Sequence, residues 1–313
     1  MTQLLLAQLP LPLPDKQGWP WTCQAALLPP RMSNGQPWPK ITVVTPSYNQ
    51  ASYLEQTIRS VLLQGYPSLE YIVIDGGSSD ESAAILRQYE AWLSFWVSEP
   101  DNGQSHAINK GFARATGQIM GWLNSDDYLL PETLQTVAET LAEPTGNVAL
   151  VGHCLKINEM DGATLYFPGI FESRQRLLQF WQGYHMHQPA IFWRREVFEA
   201  IGWLNESLHL TMDFDYWARI AARFTFVNID RTLAASNYHS AAKTGDQYAG
   251  YYRELKNNAR GYWGTKWKPA YWKMEYAFLH HYYYQPMRKK MSALWAGSLQ
   301  MANRFFVNRN NAN

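Results

Sequence analysis

Apolar positions between residue 40 and about residue 127 alternate between short strand-like runs and helical stripes. Ile41-Thr42-Val43-Val44-Thr45 reads as a strand, stopped at Pro46 because proline cannot donate to a ladder. Leu54, Ile58, Val61 and Leu62 recur at helical spacing, and Gly65-Tyr66-Pro67 closes that helix. A second strand, Tyr71-Ile72-Val73-Ile74-Asp75, runs into Gly76-Gly77-Ser78-Ser79-Asp80. The pattern then predicts a helix over 83–92, a strand at Phe95-Trp96-Val97, a helix over 104–115 and a strand ending at Asn124. Strands that alternate with helices imply right-handed crossovers and a mostly parallel sheet with helices on both faces.

The second half is less regular. It predicts a helix over 132–142, antiparallel strands over 148–157 and 163–168, and a helical stretch over 174–183. A strand at 190–193, a helix from Thr211 to Ala222 and a last strand over 226–229 follow. Residues 1–39 carry Leu-Pro-Leu-Pro-Leu-Pro, Trp19-Pro20-Trp21 and Pro37-Trp38-Pro39. This predicts an extended arm whose tryptophans pin it to the body, since proline resists helix.

Polar clusters recur where strands end: Thr45-Pro-Ser-Tyr-Asn49, Asp75-Gly-Gly-Ser-Ser-Asp80, Glu99-Pro-Asp-Asn-Gly-Gln-Ser105 and Asn124-Ser-Asp-Asp127. In an open parallel sheet, ligands bind beyond these carboxyl ends, so the four clusters predict one crevice. Asp126 and Asp127 repel each other unless a cation or hydrogen-bond donors neutralise them. Hard oxygen ligands at that place suit Mg²⁺ or Mn²⁺ carrying a phosphate-bearing substrate. The competing expectation is that Asp127 caps a helix beginning near Pro131. Neither G-x-G-x-x-G nor G-x-x-x-x-G-K-[ST] occurs, which removes the phosphate cradles of dehydrogenases and P-loop enzymes.

Composition narrows the class further. The 313 residues are 46% hydrophobic, enough for a sizeable core and against global disorder. No run of about 20 apolar residues is present to span a bilayer. The first residues lack the basic segment of a secretory leader, and the two cysteines, Cys23 and Cys154, show no metal spacing. A cytoplasmic protein is the expectation. The net charge of +1 hides an asymmetry: residues 253–313 carry +9 and the rest −8. An acidic body with a basic, aromatic tail points to different partners for the two parts.

Five segments in order, over roughly 40–245, resemble the family-2 inverting glycosyltransferases of GT-A fold. They are Thr45-Pro-Ser-Tyr-Asn49, Ile74-Asp-Gly-Gly-Ser-Ser-Asp80, Asp101-Asn-Gly-Gln-Ser with Ala107-Ile-Asn-Lys-Gly111, Asn124-Ser-Asp-Asp127, and Met212-Asp-Phe-Asp-Tyr-Trp217. The resemblance implies an α/β GT-A (Rossmann-like) catalytic domain over 40–245. Its nucleotide-binding half would be 40–127 and its acceptor half 128–245. The arm at 1–39 would precede it and a helical, basic extension at 246–313 follow it.

The implied reaction moves a sugar, with inversion, from a nucleotide-diphosphate donor, UDP-sugar first, to a glycan or lipid-linked acceptor in cell-surface polysaccharide synthesis. Thr45, Pro46, Tyr48 and Asn49 would wall the nucleotide pocket, and Asp75 would face the base or ribose. Gly76 stands where many members carry a second acid. Asp101, Gln104 and Lys110 would line the nucleotide-sugar side, with Gln104 and Lys110 near a helix start whose free N–H groups favour phosphate. For Lys110 a solvated surface position is the alternative.

Asn124 and Ser125 would contact the donor, while Asp126, Asp127 and His239 would hold Mg²⁺ or Mn²⁺. Asn124 replaces the first acid of the D-x-D pattern. Lys243 would reach the diphosphate; a surface loop is the alternative reading of 239–243. Asp213 matches the catalytic base, with Met212 where many members carry Glu, and could instead cap its helix. Asp215 is expected to pair with Arg219 at i,i+4. His187 and Gln188, with His185, fall in an acceptor-side loop, where acceptor contact or plain packing is expected ahead of metal binding.

The tail, with Arg288, Lys289 and Lys290 heading a helix over 287–306, either packs on the body or seats the enzyme on the inner face of an anionic membrane. Aromatic–basic mixing also fits single-stranded nucleic acid, but the acidic body opposes that partner. The rival functions are a non-catalytic nucleotide-sugar or glycan-binding relative, motivated by Asn124 and Met212, and a sugar-nucleotide pyrophosphorylase, which needs a Gly-rich basic loop that Thr45–Asn49 does not provide.

Overall fold

Alternate residues of β1 (Ile41–Ser47) serve two different cores. Ile41 and Val43 join one apolar cluster and Val44 joins the other. The same division separates Tyr71 and Val73 from Ile72 and Ile74 in β2 (Leu69–Asp75). This is the period-2 geometry of a sheet buried on both faces. A computed structural model describes residues 6–143, 147–180, 186–239, 248–263 and 269–280.

β1 pairs in parallel with β2 on one side and with β4 (Ile119–Trp122) on the other; β2 pairs in parallel with β3 (Phe95–Ser98). Beyond β4 the sheet becomes mixed. β8 (Ile191–Arg194) is antiparallel to β4, and β6 (Ala149–Asn158) is antiparallel to β8. β9 (Phe226–Tyr238) lies parallel to β6, while β5 (Asp127–Leu129) is antiparallel to β9. β7 (Thr164–Phe167) forms an antiparallel hairpin with β6. Helices α1 (Ala51–Leu62) and α4 (Thr133–Leu141) cover one face, and α3 (Gln104–Phe112) and α7 (Met212–Ile220) the other.

Several elements differ from expectation. β1 continues through Pro46 to Ser47, with Pro46 opposite Ile74, because proline's missing donor is tolerated at the last residues of a ladder. Asp127 does not cap a helix; it opens β5. Of the helical stretch predicted over 174–183, the described part holds one turn, α5 (Arg174–Leu177), and 181–183 lie outside the described residues. β9 is much longer than 226–229, extending to Tyr238, because β6 and β5 give it partners on both edges. α2 (Ser82–Tyr89) is shorter than expected, and α6 (Arg195–Ile201) was not predicted.

The amino-terminal arm is held by its tryptophans and by one cation. Trp19 donates its indole N–H to the Leu129 carbonyl, and Trp38 to that of Pro29. Arg59 of α1 is fully buried and donates to the carbonyls of Pro10, Pro20 and Trp21 and to the Tyr89 hydroxyl. Two compact units are present, Met1–Asp246 and Gln247–Asn313. In the second, Glu275 of α9 (Pro269–Leu279) pairs with Lys256 and Arg260 of α8 (Tyr248–Trp263). The basic cluster at 288–290 and the helix expected over 287–306 lie outside the described residues.

Candidate active site

The turn after β4 is held from below by α1. Thr57 donates its hydroxyl to the backbone carbonyls of both Ser125 (2.9 Å) and Asp127 (2.6 Å). Ser60, one turn on, accepts the Leu129 N–H. Gln56 accepts from the Asn237 amide, which itself donates to the Asp126 carbonyl at 2.9 Å. Residues 53, 56, 57 and 60 share one helical face, so a single stripe of α1 supports Asn124-Ser-Asp-Asp. Only the apolar face of this helix stood out in sequence.

From the other side, α3 contributes Gln104, whose amide donates to Asn124 Oδ1 at 2.7 Å. Asn124 also donates to Asp127 Oδ2 at 3.2 Å. An asparagine here bridges a helix start to an acid, which a carboxylate with no N–H could not do. Ser105 donates to the Leu208 carbonyl, and Asn109 exchanges bonds with Leu204 and donates to Glu206. These contacts anchor the lead-in to α7 beside the start of α3. Trp217 of α7 stacks on Trp122 of β4 with centroids 5.1 Å apart and planes at 11°. Asp213, half-buried in the first turn of α7, is therefore carried on a helix fixed to the strand that leads to Asp126. Its Oδ1 accepts the Phe214 N–H at 2.8 Å.

The two adjacent acids have different environments. Asp126 is partly open, and its Oδ2 lies 3.4 Å from Nε2 of His239. His239 is 3% exposed, and neither ring nitrogen makes a hydrogen bond among the described residues. Asp127 is not a second open arm. Its carboxyl is buried and bonded to Asn124 and Ser236, with Lys156 nearby. Burial, then the Asp126 charge, push it well above the ordinary carboxylate range. Among the described residues no group of three His, Cys, Asp or Glu side chains converges as a ready metal cage. One carboxylate oxygen facing one unpartnered imidazole nitrogen does fit a cation whose remaining positions are filled by substrate phosphate and water. The imidazole favours Mn²⁺ over Mg²⁺, which prefers oxygen.

Other expected site residues are placed as follows. Tyr48 is 62% exposed, and its ring borders Gly76. A Cβ at Gly76 would lie 2.7 Å from Asp101 Oδ2 and 3.3 Å from the Tyr48 ring, so the turn has no room for a second acid in this geometry. Asp101 accepts the Gly103 N–H at 2.7 Å. Asn49 adopts a left-handed backbone (φ 51°), tolerated by asparagine, and accepts the Ser79 N–H.

Two expectations need correction. Thr45 is fully buried with its hydroxyl on Tyr71, and Pro46 is also buried, so neither side chain walls an open pocket. Asp75 does not face outward: it is fully buried and accepts from the Ser78 N–H and hydroxyl and from Ser98. Lys110 lies on α3 six residues after Gln104, in the helix's last turn, with its ammonium on Glu99. Gln188 takes the packing alternative: it is buried and donates to the Trp122 carbonyl at 2.7 Å, so it braces the end of β4. His187 packs on Phe167 at 4.6 Å between centroids. Asp215 pairs with Arg219 at 2.9 Å, as the i,i+4 spacing predicts. Ser125 is buried. His185 and Lys243 lie outside the described residues.

A mixed α/β sheet whose parallel half ends in these polar turns defines a GT-A-like transferase fold. Residues 42–202 match Glycosyl transferase family 2, and the chain belongs to that family. Asp213 and His239 lie beyond the matched stretch.

An uncharacterized glycosyltransferase of Rickettsia typhi is 27% identical over 212 residues, 66% of each chain. TuaG of Bacillus subtilis, named for teichuronic acid biosynthesis, is 35% identical over 120 residues, 37% of this chain and 48% of that one. Among solved structures, Staphylococcus aureus TarS in complex with UDP-GlcNAc superposes with a TM-score of 0.56 at 17% identity, covering 77% of this chain and 72% of that one. A mannosyltransferase of Pyrobaculum calidifontis in complex with GDP-Man and Mn²⁺ gives 0.56 at 21% identity, covering 83% and 75%. The chain spans only 40–66% of the length of the curated relatives first matched. Among the described residues no helix is long and apolar enough to cross a membrane.

Proposed function

We propose that the protein transfers a sugar, with inversion, from a nucleotide-diphosphate donor to a glycan or lipid-linked acceptor of the cell surface. The observation that carries this reading is the 3.4 Å approach of Asp126 Oδ2 to the His239 ring, whose nitrogens make no hydrogen bond among the described residues. In this reading Asp126 and His239 hold Mn²⁺ or Mg²⁺, which when bound offsets the charge gathering on the departing diphosphate. Tyr48 and Asp101 flank the nucleotide above Gly76, and Gln104 with Asn124 orients the donor. Asp213 removes the proton of the attacking hydroxyl, a role worth about 10²–10⁴-fold. A single displacement at the anomeric carbon needs no covalent enzyme intermediate, so one base on the acceptor side suffices.

UDP-sugars are the first donors to test, given the UDP-GlcNAc complex of the TarS neighbour; the GDP-Man complex makes GDP-sugars the second. TuaG's name supports a surface polysaccharide as the acceptor class. In this reading residues 40–245 are catalytic, the arm at 1–39 braces them, and 246–313 is an accessory extension. α9 exposes Trp272, Tyr276 and Leu279 at helical spacing with Lys273 also exposed, which supports peripheral contact with an anionic bilayer from the cytoplasm. A screen of nucleotide-sugars for thermal stabilisation, with and without Mn²⁺, tests the reading. Metal-dependent donor hydrolysis that vanishes in Asp126→Ala supports it. Donor binding with no turnover in the wild type favours the non-catalytic alternative.

A further inference from the structure

The buried imidazole of His239 has a support that the reading above does not use. Tyr53, on the first turns of α1, stacks on it with ring centroids 4.3 Å apart and planes 23° from parallel. The Tyr53 hydroxyl donates to Glu159 Oε2 at 2.7 Å, and the Glu159 N–H donates to the Tyr238 carbonyl at 3.1 Å. Tyr53 thus joins three elements: α1, the turn after β6, and the end of β9 that carries His239. Asn237, two residues before His239, is bound to the Asp126 carbonyl and to Gln56 of the same helix. The end of β9 is therefore tied to α1 through the Asn237 side chain and at the ring by Tyr53.

His239 has no hydrogen bond among the described residues to set its ring plane. A ligand histidine ordinarily has its ring fixed by a bond from its second nitrogen. Here the aromatic face of Tyr53 is what the structure offers in place of that bond. We propose that Tyr53 is a positioning residue that holds the His239 ring in the plane that aims Nε2 at Asp126, so that the pair presents a preformed cation site. The proposal rests on the reading of Asp126 and His239 as metal ligands. The stack does the orienting; the Glu159 bond keeps the tyrosine from rotating away and is secondary.

The test measures Mn²⁺ binding directly, by the electron paramagnetic resonance signal of free Mn²⁺ with UDP present, in the full chain and in Tyr53→Leu, Tyr53→Phe and His239→Ala. Tyr53→Leu should raise the Mn²⁺ dissociation constant about tenfold, the lower end of what removal of a ligand's support costs. Tyr53→Phe keeps the stacked face and should stay within about twofold, since outer support through the ring is intact. Donor hydrolysis by Tyr53→Leu should recover as Mn²⁺ is raised, which a merely loosened fold would not do, and its melting temperature should match that of Tyr53→Phe.

Wild-type affinity in Tyr53→Leu overturns the positioning role while leaving the metal reading intact. Undiminished affinity in His239→Ala, or no Mn²⁺ binding by the wild type, overturns both.

Discussion

Replacing Thr57 by valine removes one hydroxyl and keeps nearly the same volume, so its effect isolates a single device. That hydroxyl is buried and its proton is shared between the carbonyls of Ser125 and Asp127, at 2.9 and 2.6 Å. A buried acceptor deprived of its donor costs about 1–3 kcal/mol, and two carbonyls share this one donor, so about 2 kcal/mol is expected. For a unit of this size 1 kcal/mol moves the melting temperature by roughly 2–4 °C, which gives a fall of about 4–8 °C. Thr57→Ser retains the hydroxyl and should lose far less.

The consequence for activity exceeds the loss of stability. The two carbonyls flank Asp126, and displacement of a reacting group by about 1 Å can cost on the order of 10²-fold. Donor hydrolysis by Thr57→Val at 20 °C, well below its transition, should therefore fall about 10- to 100-fold relative to Thr57→Ser. Thermal denaturation followed by circular dichroism gives the first quantity and steady-state kinetics the second. A Thr57→Val protein that melts within about 1 °C of the wild type, where about 2 kcal/mol predicts several degrees, would refute the support assigned to α1.

Other outcomes follow from the same geometry. Asp127→Asn should stabilise the protein at pH 7. The folded-state pKa of Asp127 is raised by burial and by Asp126, so the native state holds its proton more tightly than the unfolded chain and the wild type loses stability as pH rises above about 4. The advantage of Asp127→Asn, measured by urea denaturation across pH, should disappear below about pH 4, where both states of the wild type are protonated. Gly76→Ala should weaken nucleotide-sugar affinity in calorimetry with little change in melting temperature, because its Cβ would displace the Asp101 carboxylate from 2.7 Å. Arg59→Met should cost at least about 3 kcal/mol, since the carbonyls of Pro10, Pro20 and Trp21 each lose a donor at about 1–3 kcal/mol. It should also expose the arm at 6–39 to limited proteolysis, whereas cutting at the wild-type rate would contradict the role of Arg59.

Hydrophobic periodicity made the parallel half legible because β1, β2 and β4 are buried on both faces and each helix has one apolar stripe. Ile41, Val43 and Val44 announce their strand without help from the rest of the chain. The second half was harder, since β9 is half-exposed and its extent depends on pairing with both β6 and β5, which no local pattern carries. Chemistry-bearing residues were recognised by type, but their directions were not. Thr45, Asp75 and Asp127 stand at the ends of strands as expected, yet their side chains are absorbed by Tyr71, by Ser78 and Ser98, and by Asn124 and Ser236. Residue type cannot tell a carboxylate that faces substrate from one that folds its own turn. Tyr53, Gln56 and Thr57 went unremarked because polar residues on a helix ordinarily mark its solvent side, and only the tertiary contact with the Asp126 turn gives them a role.

The central claim is that Asp126 and His239 grip a cation under the donor diphosphate while Asp213 serves the incoming hydroxyl. Calorimetric titration of Asp213→Asn with its donor, with and without Mn²⁺, paired with single-turnover donor hydrolysis, tests it most directly. The account predicts Mn²⁺-dependent donor binding within about twofold of the wild type and hydrolysis slowed about 10²–10⁴-fold, the usual worth of a general base. A variant that retains most of its turnover, or donor binding indifferent to Mn²⁺ in the wild type, would contradict it.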